Sequence, residues 1–487
     1  MTDDLRTAPE ASAAPASAAP APDAEPPYEP DPRRWRILGV SLVVGFMSLL
    51  DVTIVNVAVP SMQSGLDTSA ATIQWVVSGY ALAFGLTLVA GGRLGDAYGR
   101  RRMMLIGLVA FVASSALVGL APNATLVVLA RLLQGASAGL LTPQNSGLIQ
   151  ELFRGPERGR AFGLFGLTVS LASATGPVLG GAIIALAGAE NGWRWLFLVN
   201  VPIGVVAMVA VVLLVPRATE SGSPGRIDLV GAALLGGAVF CLLYPVVQLE
   251  AGARWPLLLL VGVPTLALGF VRWEHRVVAR QHAPLLDVRL LRRTPGYAGG
   301  LAIGTLYFTG FTGVLLVLSV WLQEQRDLSA LHTGLLVAPF AVGAAISSPI
   351  AGRLVSRVGR PLTLAAIATM GVGTLLVALL VPGRSDAALA VALPLCLLLA
   401  GLGGGAVVSP NITLTLAEVP TRMGGAAGGA LQTGQRIGSA LGAALLMTVY
   451  QVVAGGSPDA GVRAALVTAV VVLGAAFATT LVTYRRG

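Results

Sequence analysis

The chain has 487 residues, 55% of them hydrophobic and only 11% charged, with a net charge of +9. That composition excludes a soluble globular protein, whose exterior must be covered largely by charged residues. It does not point to nucleic acid either: all 32 basic residues are arginine, and they lie in short loops between apolar runs rather than on one soluble face.

Residues 1–36 are rich in Ala, Pro and acidic residues without apolar periodicity, which predicts a disordered cytoplasmic tail. Arg33, Arg34 and Arg36 precede the first apolar run, which argues against a cleaved signal peptide and holds this end inside. About fourteen spans follow, each long enough to cross about 30 Å of hydrocarbon at about 1.5 Å per residue. Six, near 37–59, 72–94, 103–121, 124–148, 161–187 and 193–215, make an N-terminal bundle over 37–216. Two more, near 228–249 and 256–273, fall in a linker over 217–297 that ends in a basic cytoplasmic loop. The last six, near 298–322, 331–352, 361–382, 388–409, 425–450 and 461–483, make a C-terminal bundle and short tail over 298–487. The fold class is all-α, a polytopic membrane protein.

The arginines fix the orientation. Alternation places Arg100, Arg101, Arg102, Arg154, Arg158, Arg160, Arg217, Arg226, Arg353, Arg357, Arg360, Arg485 and Arg486 inside, whereas the outer loops carry single arginines. Both termini are then cytoplasmic. Between Trp273 and Pro295, Arg276, Arg280, Arg289, Arg292 and Arg293 alternate with Leu285, Leu286, Leu290 and Leu291, a spacing that predicts a short amphipathic helix on the anionic inner leaflet. Cys241 and Cys396 lie within apolar runs and read as free thiols packed in the bundle.

Three places carry unusual polarity. Gly91-Gly92-Arg93-Leu94-Gly95-Asp96-Ala97-Tyr98-Gly99-Arg100-Arg101-Arg102 joins the second and third spans. Its glycines allow a sharp turn, Asp96 can answer a helix N-terminus, and the arginines hold the turn inside. Gly352-Arg353-Leu354-Val355-Ser356-Arg357-Val358-Gly359-Arg360 echoes it in the second bundle with Ser356 in place of the aspartate, which indicates two homologous halves. Asp51 stands inside the first span, where a carboxylate is costly and functional by default. Burial favours its neutral form and a nearby cation its charged form, a balance suited to proton exchange. Arg131, in the fourth span, is the natural partner, and because a guanidinium does not itself deprotonate, its part is electrostatic.

The turn at Gly91–Arg102 resembles the loop between the second and third helices of major facilitator superfamily transporters. Leu50-Asp51-Val52-Thr53-Ile54-Val55-Asn56-Val57-Ala58-Val59-Pro60 is similar to the first-helix motif of the fourteen-helix drug:proton antiporters of that superfamily, and the layout of six, two and six spans is theirs as well. Gly176-Pro177-Val178-Leu179-Gly180-Gly181, in the fifth span, resembles the motif regarded as characteristic of antiporters. Physically, its small residues permit close helix contact and its proline loosens the backbone ladder.

The resemblance implies a major facilitator fold with proton coupling at Asp51 and Arg131. A latch or gate is expected from Gly92, Asp96, Gly99, Arg100, Arg101, Gly176, Pro177, Gly180, Gly181 and the intramembrane Arg436. Glu418, near the inner end of the preceding span, is a candidate partner for Arg436, with backbone carbonyls the alternative. Asn56, Gln74, Gln134, Gln144, Asn145, Tyr307, Phe311, Asn411 and Gln432 are candidate walls of a substrate cavity. The function implied is proton-driven export of drugs, antibiotics or other lipophilic small molecules across a bacterial inner membrane. Export of one endogenous metabolite is the alternative, and a solute:proton symporter is disfavoured by Gly176-Pro177. No phosphate loop, H-E-x-x-H or C-x-x-C is present, so no cofactor, metal or enzymatic activity is expected, and no nucleic-acid partner.

Overall fold

The computed structural model describes residues 30–188, 190–217, 228–250, 255–280, 282 and 284–486; the side chains of a few others, Asn56 and Pro177 among them, lie outside that description. The tail expected over 1–36 therefore falls almost wholly outside the described residues. Helices follow in the order α1 (Arg34–Gly65), α2 (Ala70–Tyr98), α3 (Arg100–Leu120), α4 (Ala124–Leu152), α5 (Gly155–Ala187), α6 (Gly192–Leu198) and α7 (Asn200–Leu214). Then come α8 (Leu229–Glu250), α9 (Gly262–Ala279), α10 (Leu290–Arg293), α11 (Pro295–Gln325), α12 (Ala330–Val358), α13 (Arg360–Leu380), α14 (Asp386–Thr415), α15 (Gly424–Ala454) and α16 (Pro458–Arg486). Among the described residues 13 helical segments are long and apolar enough to cross a membrane, α6 and α7 counting as one, and α8 adds the shorter apolar stretch Leu229–Pro245.

Local chemistry sets the boundaries. Ser69, Asn123 and Ser329 each accept a hydrogen bond from the backbone N–H three residues on, capping α2, α4 and α12. Gly99, at φ +90, ends α2 and begins α3 in one residue, a conformation that an L side chain resists. Gly359, at φ +67, makes the matching turn between α12 and α13.

Helices α1–α7 pack on each other around Tyr80, Phe111, Trp193 and Phe197, and α11–α16 around Tyr307, Trp321, Met370 and Leu446. A further cluster joins the two halves: Ile149, Phe153 and Phe162 meet Tyr297, Ile412, Leu416 and Ala427. The linker helices α8 and α9 pair with each other, and α8 lies against α2 and α15.

The basic loop departs from expectation. It does not form an amphipathic helix on a leaflet. Residues 273–279 extend α9, and only the four residues of α10 are helical before α11. Leu285, Leu286 and Val288 are buried against Val89, Phe270 and Ala430. Trp273 donates from Nε1 to Asp228 at 2.9 Å, and the Leu285 N–H donates to Glu274 at 3.1 Å. The apolar positions of the loop thus find a protein groove between α2, α9 and α15, which removes them from water more completely than a bilayer surface would.

The halves meet closely at the arginine-bearing end. A Cβ at Gly92 would run into the Gly425 carbonyl, and Gly429 packs on Leu88. Across the other seam, Gly159 and Gly163 pack on Gly352, and Ser348 donates to the Gly163 carbonyl at 3.2 Å. Towards the opposite end α5 and α12 part: a Cβ at Gly181 or Gly334 would have no neighbour within 4 Å. α1 and α11, the first helices of the two halves, share no extended contact.

This closure predicts the effect of a bulky side chain. In a protein lacking its natural cysteines, a Ser146→Cys thiol, buried beside Gly428, should react slowly with a polar maleimide. Adding Gly92→Leu should accelerate labelling by about tenfold or more, as expected when a seam must open by more than about 1.4 kcal/mol. Unchanged labelling would show that the closure does not depend on this glycine contact.

Candidate functional site

Asp51 and Arg131 meet in the interior of the N-terminal half. Asp51 is 0% and Arg131 1% exposed, and Arg131 Nη1 lies 2.5 Å from Asp51 Oδ2. The second carboxylate oxygen accepts from Gln134 Nε2 at 3.0 Å and Asn200 Nδ2 at 3.1 Å. Both amides also reach Ser115 Oγ at 3.1 Å. Arg131 is held by further contacts: Nε donates to the Val76 carbonyl at 3.1 Å, Nη1 also donates to Gln134 Oε1 at 2.9 Å, and the guanidinium lies 4.1 Å from the centre of the Tyr80 ring. Five helices, α1, α2, α3, α4 and α7, supply this network.

The geometry explains how a carboxylate survives there. A buried charge is tolerated only when paired and hydrogen-bonded, and here every oxygen of Asp51 has a partner. It also defines what protonation would do: a neutral carboxyl cannot hold the guanidinium as a carboxylate does, so Arg131 would lose its counter-charge in a dry site.

A second polar centre ties the halves together. Asp96, its side chain 0% exposed, accepts from the Gly425 N–H at 3.0 Å and the Ala426 N–H at 2.8 Å, which are the orphan donors at the start of α15. Arg100, one turn on, pairs with Asp96 at 2.9 Å and Glu151 at 3.0 Å and reaches the Thr421 carbonyl at 3.3 Å. A carboxylate at a partly buried helix N-terminus contributes up to about 2 kcal/mol. Arg101 instead donates to the Val212 carbonyl at 2.7 Å, inside its own half. Ser356, exposed, makes no such bond among the described residues, so the latch is one-sided.

The remaining sequence candidates separate. Gln134 serves the Asp51 site. Gln144 donates to the Gly91 carbonyl at 2.8 Å, Asn145 accepts from Ser41 at 2.5 Å, and Asn411 donates to the Gly300 carbonyl at 3.2 Å. Gln432 crosses between the halves to Ser146 at 3.0 Å. Tyr307 donates to the Gly404 carbonyl at 3.0 Å and stacks with Phe311, which stacks in turn on Phe340. In this conformation those five polar side chains hold helix to helix, and Asn411 also borders a small cavity with Gly300, Ile303 and Thr363. Gln74 and Phe311 are half-buried, and the side chains of Asn56 and Pro177 lie outside the described residues. Gly176 lets α5 close on Thr53 of α1, whose hydroxyl donates to the Ala172 carbonyl at 3.1 Å; Gly180 is buried, and Gly181 has no near neighbour. Glu418 and Arg436 do not pair. Glu418 is exposed and lies near Arg360, while Arg436 sits 4.6 Å over the ring of Phe84. Asn200, Ser115 and Tyr80 complete the Asp51 network, and only their intramembrane polarity marked them in the sequence.

The chain matches the Major Facilitator Superfamily over residues 41–443. It belongs to that superfamily. A probable actinorhodin transporter of Streptomyces coelicolor is 36% identical over 450 residues, 92% of this chain and 78% of that protein. The puromycin resistance protein pur8 of Streptomyces alboniger is 38% identical over 86% of this chain and 82% of its own length. A drug efflux pump of Mycobacterium tuberculosis, JefA, is 33% identical over 86% of this chain and 80% of its own. Among solved structures, a human organic anion transporter, MFSD10, superposes with a TM-score of 0.68 at 18% identity, covering 92% of this chain and all of that one. The proton:xylose symporter XylE gives 0.64 at 16% identity over 91% of this chain and 94% of its own. The protein is a multi-pass membrane transporter of this fold.

The ion pair makes a specific energetic prediction. Arg131→Ala should strand the Asp51 charge and cost about 3–5 kcal/mol, lowering the unfolding temperature of the detergent-solubilised protein. Adding Asp51→Asn should restore much of that loss, because no buried charge is then left unmatched. A double variant less stable than the single one would contradict the pairing.

Proposed function

We propose that this protein is a proton-driven exporter of lipophilic small molecules, antibiotics among them, in a bacterial inner membrane, with both termini cytoplasmic. The observation that carries the reading is the dry Asp51–Arg131 pair. A site of this kind has little reason to persist in a transporter unless its charge state changes during the cycle. The relatives named for transport of actinorhodin, resistance to puromycin and efflux of drugs support the direction of transport and the class of cargo. XylE, a symporter, has the same fold, so the fold alone does not choose between import and export.

With the arginine-bearing end cytoplasmic, the latched conformation faces outward. In this reading the halves, about 37–216 and 298–487, rock against each other around a central cavity, with 217–297 spanning them. Protonation of Asp51 from outside releases Arg131 from its counter-charge and repacks α1 against α4. The rearrangement reaches the seam of α2 with α15 through the Tyr80 and Phe84 side of α2. Separation of Asp96 from the start of α15 then opens the cytoplasmic end, and loss of the proton to the cytoplasm resets the pair as cargo binds. Dedicated export of one self-made compound is a second form of the same reading, favoured by the relatives named for a single compound, actinorhodin or puromycin.

Neutralising the carboxylate tests this directly. In inverted membrane vesicles energised by a proton gradient, Asp51→Asn should reduce accumulation of a transported dye by at least about tenfold, while downhill exchange of the dye persists. Gradient-driven transport equal to wild type would remove Asp51 from the coupling.

A further inference from the structure

Two arginines lie within the membrane-spanning bundles away from their ends, and the structure treats them in opposite ways. Arg131 has a carboxylate, a backbone carbonyl, an amide oxygen and an aromatic face. Arg436 has no hydrogen bond or ion pair among the described residues; its contact is the face of Phe84, 4.6 Å from the ring centre. A guanidinium carries five N–H donors, and a cation–π contact, worth about 0.5–2 kcal/mol, occupies none of them.

Its place is equally specific. Arg436 is half-buried on α15, seven residues beyond Gly429, about 10 Å along the helix from the closed seam at about 1.5 Å per residue. One turn below it Gln432 bridges to Ser146 and closes the way to the arginine-bearing end. Ile437, beside it, and Ala440, one turn further on, pack with Leu82 and the α8 residues Val239 and Leu243. Arg436 therefore stands between the halves, above the closed end, on the side of α2 that carries Phe84 and Tyr80.

We propose that Arg436 is the recognition point for an acidic group on the cargo, so that the compounds this protein carries best are aromatic or lipophilic anions bearing a carboxylate or phenolate. The Asp51–Arg131 pair is internally neutral, and Glu418 lies elsewhere, against Arg360. Arg436 is consequently left as an unmatched positive charge whose planar donor fork suits a carboxylate in bidentate geometry. Phe84 lies buried beneath the guanidinium and backs it from the protein side. The Phe84 ring stacks on Tyr80 at 6.1 Å, and Tyr80 lies under Arg131, so Arg436 and the ion pair share one aromatic bridge. The proposal rests on the export reading for its cargo, but not for its chemistry.

The test uses two dyes with the same tricyclic core and opposite charge, fluorescein and rhodamine 6G, and the purified full-length protein at neutral pH. By fluorescence anisotropy, Arg436→Gln should weaken fluorescein binding by about 10–100-fold, the worth of one charged hydrogen-bonded contact, and leave rhodamine 6G within about twofold. Arg436→Lys should retain a substantial part of the fluorescein affinity, which separates loss of charge from loss of fold. Equal fluorescein binding by wild type and Arg436→Gln overturns the proposal, as does parallel loss of both dyes in Arg436→Gln and Arg436→Lys. Gradient-driven efflux of rhodamine 6G alongside equal fluorescein binding would leave the export reading standing without the anion site. Arg436-dependent fluorescein binding without gradient-driven efflux of either dye would keep the anion site and remove the export reading.

Discussion

A carboxylate and a guanidinium enclosed together away from water must neutralise each other, and the N-terminal half is organised around that requirement. Asp51 and Arg131 draw Gln134, Asn200, Ser115 and the Val76 carbonyl into one network, so that five helices are registered by a single buried ion pair. Apolar packing in a bilayer is weakly directional, because lipid tails compete with side chains on nearly equal terms. Polar contacts with fixed geometry therefore decide how these helices rotate against one another. Small residues set how closely the helices approach, since Gly135, Gly139 and Gly91 let α2 and α4 meet backbone to backbone.

A similar division holds between the halves. Close glycine contacts form both seams, Gly92 with Gly425 and Gly159 with Gly352, yet only the first carries a charge at a helix start. Ser356 in the second copy leaves its seam to packing and to Ser348. The closed end is thus held by one charged clasp at the start of α15, together with neutral hydrogen bonds and apolar packing across the rest of both seams. The strap at Leu285–Val288 lies beside the clasped seam, touching Val89 of α2 and Ala430 of α15, so the linker is positioned to move with that seam.

Much of this was legible in the sequence, for a physical reason. Spans, turn positions and the Gly91–Arg102 hairpin are local properties of hydropathy and backbone freedom, and the fourteen expected spans correspond to the helices within two turns at either end. Asp51 and Arg131 stood out singly, because each is costly where it lies. Their surroundings were less visible. Gln144, Asn145 and Asn411 read as cavity walls because intramembrane amides are rare; each bridges to a neighbouring helix, yet Gln144 Oε1 and Asn145 Nδ2 keep no hydrogen-bond partner among the described residues. The Arg276–Arg293 loop has the leucine spacing of a surface helix, and nothing local reveals the groove into which Leu285 and Leu286 drop. Glu418 reads as a candidate partner for Arg436, but it falls in the turn after α14, whereas Arg436 lies 12 residues into α15, about 18 Å along the helix, so depth separates them.

Coupled export requires that the proton state of Asp51 be tied to cargo. The most direct measurement is cargo-triggered proton release from purified protein in weakly buffered detergent solution, screened over neutral, cationic and anionic compounds. Wild type is predicted to release protons when a transported compound binds, and Asp51→Asn to bind the compound without release. Equal proton release from both proteins would contradict that coupling.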